Sequence, residues 1–136
     1  MLDPLAAFRR KDSTTEGGAD APPRHTSYVS FQTKDKLRCL DIRTKSGLAH
    51  APGWGYLTNI SYNRKTYGEM MLTFNRFMVI LKGRNLRPIV DAVKLHTCEF
   101  LQEFDAEEFD PPTDASAPFI DTIEVRLFGI ATAAEG

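Results

Sequence analysis

The stretch Asn85-Leu-Arg-Pro-Ile-Val-Asp-Ala-Val-Lys-Leu-His-Thr-Cys-Glu-Phe-Leu-Gln-Glu-Phe104 decides how this chain is read. Leu86, Ile89, Val90, Val93, Thr97, Phe100, Leu101 and Phe104 recur at three- and four-residue intervals. At about 100° per residue they fall on one continuous stripe. Asn85 has the side chain of a helix N-cap, and Pro88 falls in the first turn, where its missing N–H is harmless. The spacing predicts an amphipathic helix of about four to five turns beginning beside Asn85. Its charges run against the helix dipole: Lys82, Arg84 and Arg87 crowd the start, while Glu99, Glu103, Asp105 and Glu107 crowd the end. Each such charge costs about 0.3–1 kcal/mol when unscreened.

Upstream the period drops to two. Tyr28–Phe31, Leu37–Arg43 and Leu48–Ala51 are short runs of strand formers separated by turn signals, and Pro52-Gly-Trp-Gly55 interrupts the last. Tyr56 to Tyr62 alternates, which predicts Tyr56, Thr58, Ile60 and Tyr62 on one face. Asn63–Gly68 makes a hairpin loop, after which Met70, Leu72 and Phe74 share a side. Phe77–Leu81 is apolar on both faces, as in a covered strand. Beyond the helix, 105–117 is a loop, and Ile120–Phe128 closes the chain with Ile123, Val125 and Leu127 facing one way. The expected fold is α+β: a mostly antiparallel curved sheet or half-open barrel of about five or six strands, with one long amphipathic helix packed on it. Residues 1–26 and 129–136 read as loose tails, rich in Gly, Pro, Ala and small polar residues, flanking a single domain over 27–128.

The 136 residues supply apolar material for one modest core, with 42% hydrophobic and 26% charged residues. No apolar run is long enough to span a bilayer, and no secretory signal is visible at the start. Two cysteines, Cys39 and Cys98, make neither a disulfide framework nor a zinc spacing, which sets a reducing, cytoplasmic location as the expectation. The net charge of −1 conceals polarity along the chain. Through Lys94 there are 16 Lys and Arg against eight acids; after it, one Arg stands against ten. Such segregation suits partners or self-association.

No catalytic set emerges. His96 and Cys98 fall on different helix faces, and Glu99 with Glu103 lacks the ligand order of a calcium loop, so no metal, cofactor or catalytic residue is assigned. Three groups remain. Lys82, Gly83, Arg84 and Arg87 form a candidate anion site, with Gly83 allowing close backbone approach and the helix start offering N–H groups. Side-chain pairing of these cations with acids on the sheet or on a neighbouring subunit is the other reading, and the simpler one. Trp54, flanked by glycines, with Tyr56, Tyr62 and Tyr67, forms a candidate aromatic surface for a planar ligand, unless the indole caps the core. Leu95, opposite the apolar stripe, with Glu99 and Glu103, marks a candidate interface.

These features predict a small non-enzymatic binding or assembly module that associates with a protein partner or with itself. The alternative is an anion or nucleic-acid binder using the basic helix start and the nearby aromatics. A membrane is not among the expected partners.

Overall fold

The computed structural model describes residues 26–128, so the two tails, apart from Thr26, lie outside the described residues. Among the described residues ten strands form three separate sheets, none of them closed, in place of the single curved sheet expected. Strands β5 (Leu57–Tyr62), β6 (Glu69–Phe74) and β7 (Phe77–Arg84) form the antiparallel meander that their period-two pattern predicts. The closing strand β10 (Phe119–Leu127) pairs antiparallel with β7, giving the order β10-β7-β6-β5. The early strands do not join that meander. Strands β2 (Phe31–Thr33), β3 (Asp41–Arg43) and β4 (Ala49–His50) build a second sheet around β8 (Cys98–Gln102), in the order β2-β8-β3-β4. There β3 and β8 run parallel. The third sheet is a two-residue parallel pair, β1 (Thr26–Ser27) with β9 (Phe109–Asp110). Among the described residues the architecture is β-rich with one α-helix, and most strand pairs are antiparallel.

Both larger sheets feed one core. Leu40, Ile42 and Leu101 come from the second sheet and its approach; Met70, Leu72, Phe74, Val79 and Leu81 come from the meander. The helix α1 (Arg87–Lys94) adds Ile89, Val90, Ala92 and Val93. Burying a side chain of this size contributes about 1.5–3 kcal/mol, so this shared cluster is what couples the sheets. At one end of the core Tyr28 meets Phe104, Phe109 and Phe119 edge-on, with centroids 5.2–5.5 Å away. Its hydroxyl accepts the N–H of Ile120 at 3.2 Å and donates to the carbonyl of Gln102.

The helix is half as long as its sequence pattern predicts. It stops at Lys94 because His96 enters the left-handed region at φ 57°. The N–H of Thr97 then bonds to Ala92 O at 2.9 Å and that of His96 to Val93 O at 3.1 Å, the pair of bonds that defines a Schellman stop. Residues 98–102 continue as strand β8. The helix-like spacing there comes from a bulge: Thr33 pairs with Cys98 and Gln32 with Phe100, which leaves Glu99 as the extra residue. One inserted residue brings Cys98 and Leu101 to the same buried side, three apart, and so imitates a helical period. The reversed polarity at the helix end disappears with this correction. Lys94 occupies the last turn, where a cation is favourable, and Glu99 and Glu103 belong to β8 and its extension.

Two further readings change. The N-cap position belongs to Leu86, without a side-chain cap. Asn85 instead has φ 56°, and its amide donates to the carbonyl of Ala115 at 2.8 Å, fastening the loop before β10. In β5, Leu57 pairs with Phe74 and Asn59 with Thr73, so Thr58 is a bulge. Thr58 consequently points to solvent, and Tyr56, in a 3-10 turn over Trp54–Tyr56 ahead of the strand, is exposed as well, while Ile60 and Tyr62 pack on the core.

Candidate binding surfaces

An apolar groove lies between the two larger sheets, where β4 and the end of β10 come together. The turn joining β3 to β4 is closed by Thr44 N–H to Leu48 O at 3.0 Å, and Gly47 takes φ 96° within it. Opposite stands β10. The groove has a volume of about 540 Å3, and its walls include Leu48, His50, Ile123, Val125 and Leu127. Leu48 is 61% exposed and Leu127 60%. Glu103 also lines it, although only 5% exposed. Its two carboxylate oxygens accept the N–H of Lys45 at 2.8 Å and that of Ile123 at 3.1 Å, so one side chain ties the β3–β4 turn to β10.

The Ile123 bond also shows which way the strand edge points. The N–H of Ile123 leaves β10 on the side away from β7, whereas that of Phe128 turns toward β7 and bonds to Arg76 O at 2.8 Å. Backbone direction alternates along a strand, so Val125 and Leu127 direct their N–H and C=O groups outward with Ile123. Among the described residues β10 pairs with no strand except β7. Glu103 therefore closes the edge at Ile123, and the edge opens at Val125, beside the apolar wall.

The candidate anion residues gather elsewhere. Lys82, Gly83 and Arg84 end β7, and Arg87 starts α1. The β5–β6 turn is fastened to them by Gly83 N–H to Gly68 O at 2.9 Å and Leu86 N–H to Tyr67 O at 3.0 Å. Tyr67 stacks with Tyr62 at 5.9 Å, so two of the four candidate aromatics join the cations. The ammonium of Lys94 donates to the Tyr62 hydroxyl at 2.8 Å, and this bond raises the pKa of Lys94. An open cavity of about 650 Å3 adjoins, with Lys82, Arg84, Glu69 and Asp121 among its lining. Gly83 does serve a close approach, but of another strand. A Cβ there would stand 1.8 Å from the Phe119 carbonyl oxygen, next to the bulge at Asp121.

Trp54 lies apart from the two tyrosines as a core residue, 5% exposed, its ring stacked on His96 at 4.6 Å. Tyr56 is exposed. Of the interface candidates, Leu95 is 72% exposed just past the helix, Glu99 is partly exposed at its bulge, and Glu103 is buried in the groove floor. Cys98 is fully buried, and burial pushes its thiol up to about 12, which keeps it protonated and unreactive. No group of three His, Cys, Asp or Glu among the described residues could hold a metal ion. No helix among them is long and apolar enough to cross a membrane.

The groove is the feature that sequence reasoning missed. Its one visible signal was Ile123-Glu-Val-Arg-Leu127, whose apolar side runs on to the strand's exposed end. Comparison with protein-family models, curated proteins and solved structures finds no match to this chain.

Proposed function

We propose that the chain is a small non-enzymatic protein-binding module that receives an extended segment of a partner polypeptide along the open edge of β10. The observation carrying this reading is the open backbone of Val125 and Leu127 beside the apolar groove wall. An added strand gains affinity from main-chain hydrogen bonds, and alternate side chains entering the groove supply selectivity. Leu48 and Leu127 offer those side chains the apolar surface. The partner strand belongs to another protein or to a second copy of the chain, and the site is expected to work in the cytoplasm.

The experiment is selection from a displayed library of extended peptides, followed by binding measurements with Leu127→Asp and Leu48→Asp. Both leucines are exposed, so the variants fold. Peptides with alternating apolar residues are expected, and each variant weakens them by at least about tenfold. Recovery of no peptide, or of peptides indifferent to both variants, contradicts the reading. Light scattering identifies a second copy as the partner when a wild-type dimer dissociates in Leu127→Asp.

A further inference from the structure

At the basic end of the molecule two guanidinium groups rest on aromatic rings, and an ammonium is held at the hydroxyl rim of a third. The guanidinium of Arg84 lies 4.2 Å from the Phe119 centroid and that of Arg87 5.7 Å from Tyr67, while the Lys94 ammonium lies 4.7 Å from Tyr62. A ring face attracts a cation without neutralising it, and the N–H donors at the rim stay available. A carboxylate would use up both. Among the described residues the ion pairs are Arg43–Asp41, Lys82–Glu69 and Arg126–Glu124, so Arg84, Arg87 and Lys94 are not committed to an acid.

The rings also hold these long side chains in place, which removes part of the entropy a ligand would otherwise have to overcome. Hydrogen bonds from Gly83 to Gly68 and from Leu86 to Tyr67 join the β5–β6 turn, the end of β7 and the helix start into one support. Arg64 and Lys65 sit in that same turn. The acids of this region are Glu69, which faces Lys82 at 4.0 Å, Asp121 in the cavity lining, Asp91 on the helix and Asp114, next to the Ala115 carbonyl that Asn85 holds. Six cations thus stand against four acids. Arg87 and Lys94 are seven residues apart, a separation of about 10 Å along the helix. That is too far for one phosphate group and fits a chain of them.

We propose that this face binds the phosphate backbone of single-stranded nucleic acid. Arg84 and Arg87 are the phosphate contacts, since a guanidinium fork matches phosphate oxygens in pairs. Lys94 extends the track, and the stacked Tyr62 and Tyr67, half-buried against the core, brace it from below. This face shares no residue with the β10 groove, so the two proposals stand or fall separately.

The test is fluorescence anisotropy of a labelled single-stranded oligonucleotide titrated with the full chain at several salt concentrations. Affinity is expected to rise with oligonucleotide length and to fall with salt, by about 0.7 in log–log slope for each phosphate contact. Arg84→Met and Arg87→Met keep an apolar stem over their rings and remove the charge. Each lowers the slope by about 0.7, and together they weaken binding by at least about tenfold. Arg126→Met, which removes an equal charge from β10, leaves binding unchanged. Absence of binding, salt-independent binding, or full affinity in the double variant overturns the proposal. So does equal affinity for polyglutamate of the same charge, or for a single nucleoside triphosphate.

Discussion

The imidazole of His96 lies flat on the buried indole of Trp54, with centroids 4.6 Å apart and planes within 12°. This contact braces the end of the helix, because His96 is also the residue at φ 57° in the Schellman stop. A side chain in that region costs energy that glycine would not, and the stack offsets it by about 0.5–1.5 kcal/mol. His96→Gly, which keeps the turn and loses the stack, is expected to change stability by less than about 1 kcal/mol. His96→Val loses the stack and strains the turn, and is expected to cost at least about 2 kcal/mol. Urea denaturation of the two variants measures the difference; equal stability would show that the stop does not depend on this residue.

Gly83 gives a sharper expectation. With Phe119 O only 1.8 Å from where its Cβ would stand, Gly83→Ala must push β10 off β7. Overpacking against backbone, which cannot rotate away, is expected to cost about 3 kcal/mol or more. Thermal unfolding measures the loss, and an alanine variant of wild-type stability would refute the close approach of the strands.

Glu103 holds two N–H groups from distant parts of the chain, those of Lys45 and Ile123. Glu103→Ala leaves both without an acceptor, at about 1–3 kcal/mol for each one kept from water. Glu103→Gln retains one carbonyl oxygen and loses less. Amide exchange at Lys45 and Ile123 is expected to accelerate in the alanine variant before exchange in the β6–β7 ladder does.

Much of this architecture is legible in the order of residues, and the parts that are not share one cause. Met70, Leu72 and Phe74 alternate without interruption, and β6 lies where that alternation puts it. Ile89, Val90 and Val93 mark the helix correctly. Each extra residue in a strand breaks the rule: Thr58 falls out of step with Ile60 and Tyr62, and Glu99 makes β8 resemble a helix. A bulge is set by the partner strand, and the partner is not visible in local sequence. The surfaces follow the same logic. Lys82, Arg84 and Arg87 are near neighbours and were identifiable together, and the turn carrying Tyr67 lies close by. The groove joins Leu48 to Val125 and Leu127 across most of the chain, so only the fold reveals it.

High pH offers an independent test of the core. Burial, the largest cause, raises the pKa of Tyr28 above its ordinary value of 10.0 and that of Cys98 from 9.0 to about 12. Both groups then hold their protons longer in the folded chain than in the unfolded one. Their contribution is complete below pH 9; that of Cys98 is lost as pH rises through 9–12, and that of Tyr28 declines from 10.0 upward. Tyr28→Phe is expected to lower stability at neutral pH by about 1–3 kcal/mol, through the stranded Ile120 N–H and Gln102 carbonyl. It should also make the alkaline decline shallower. A variant with an unchanged alkaline slope would show that Tyr28 is not the buried titrating group.

Amide hydrogen exchange along β10, with and without a peptide selected for binding, addresses the central claim most directly. In the free chain Glu124 and Arg126, bonded toward β7, should exchange slowly, and Val125 and Leu127 quickly. With the peptide bound, Val125 and Leu127 should become protected while the outer edge of β5 stays as it was. Protection of Val125 and Leu127 already complete in the free chain, or protection by peptide confined to other strands, would contradict the account.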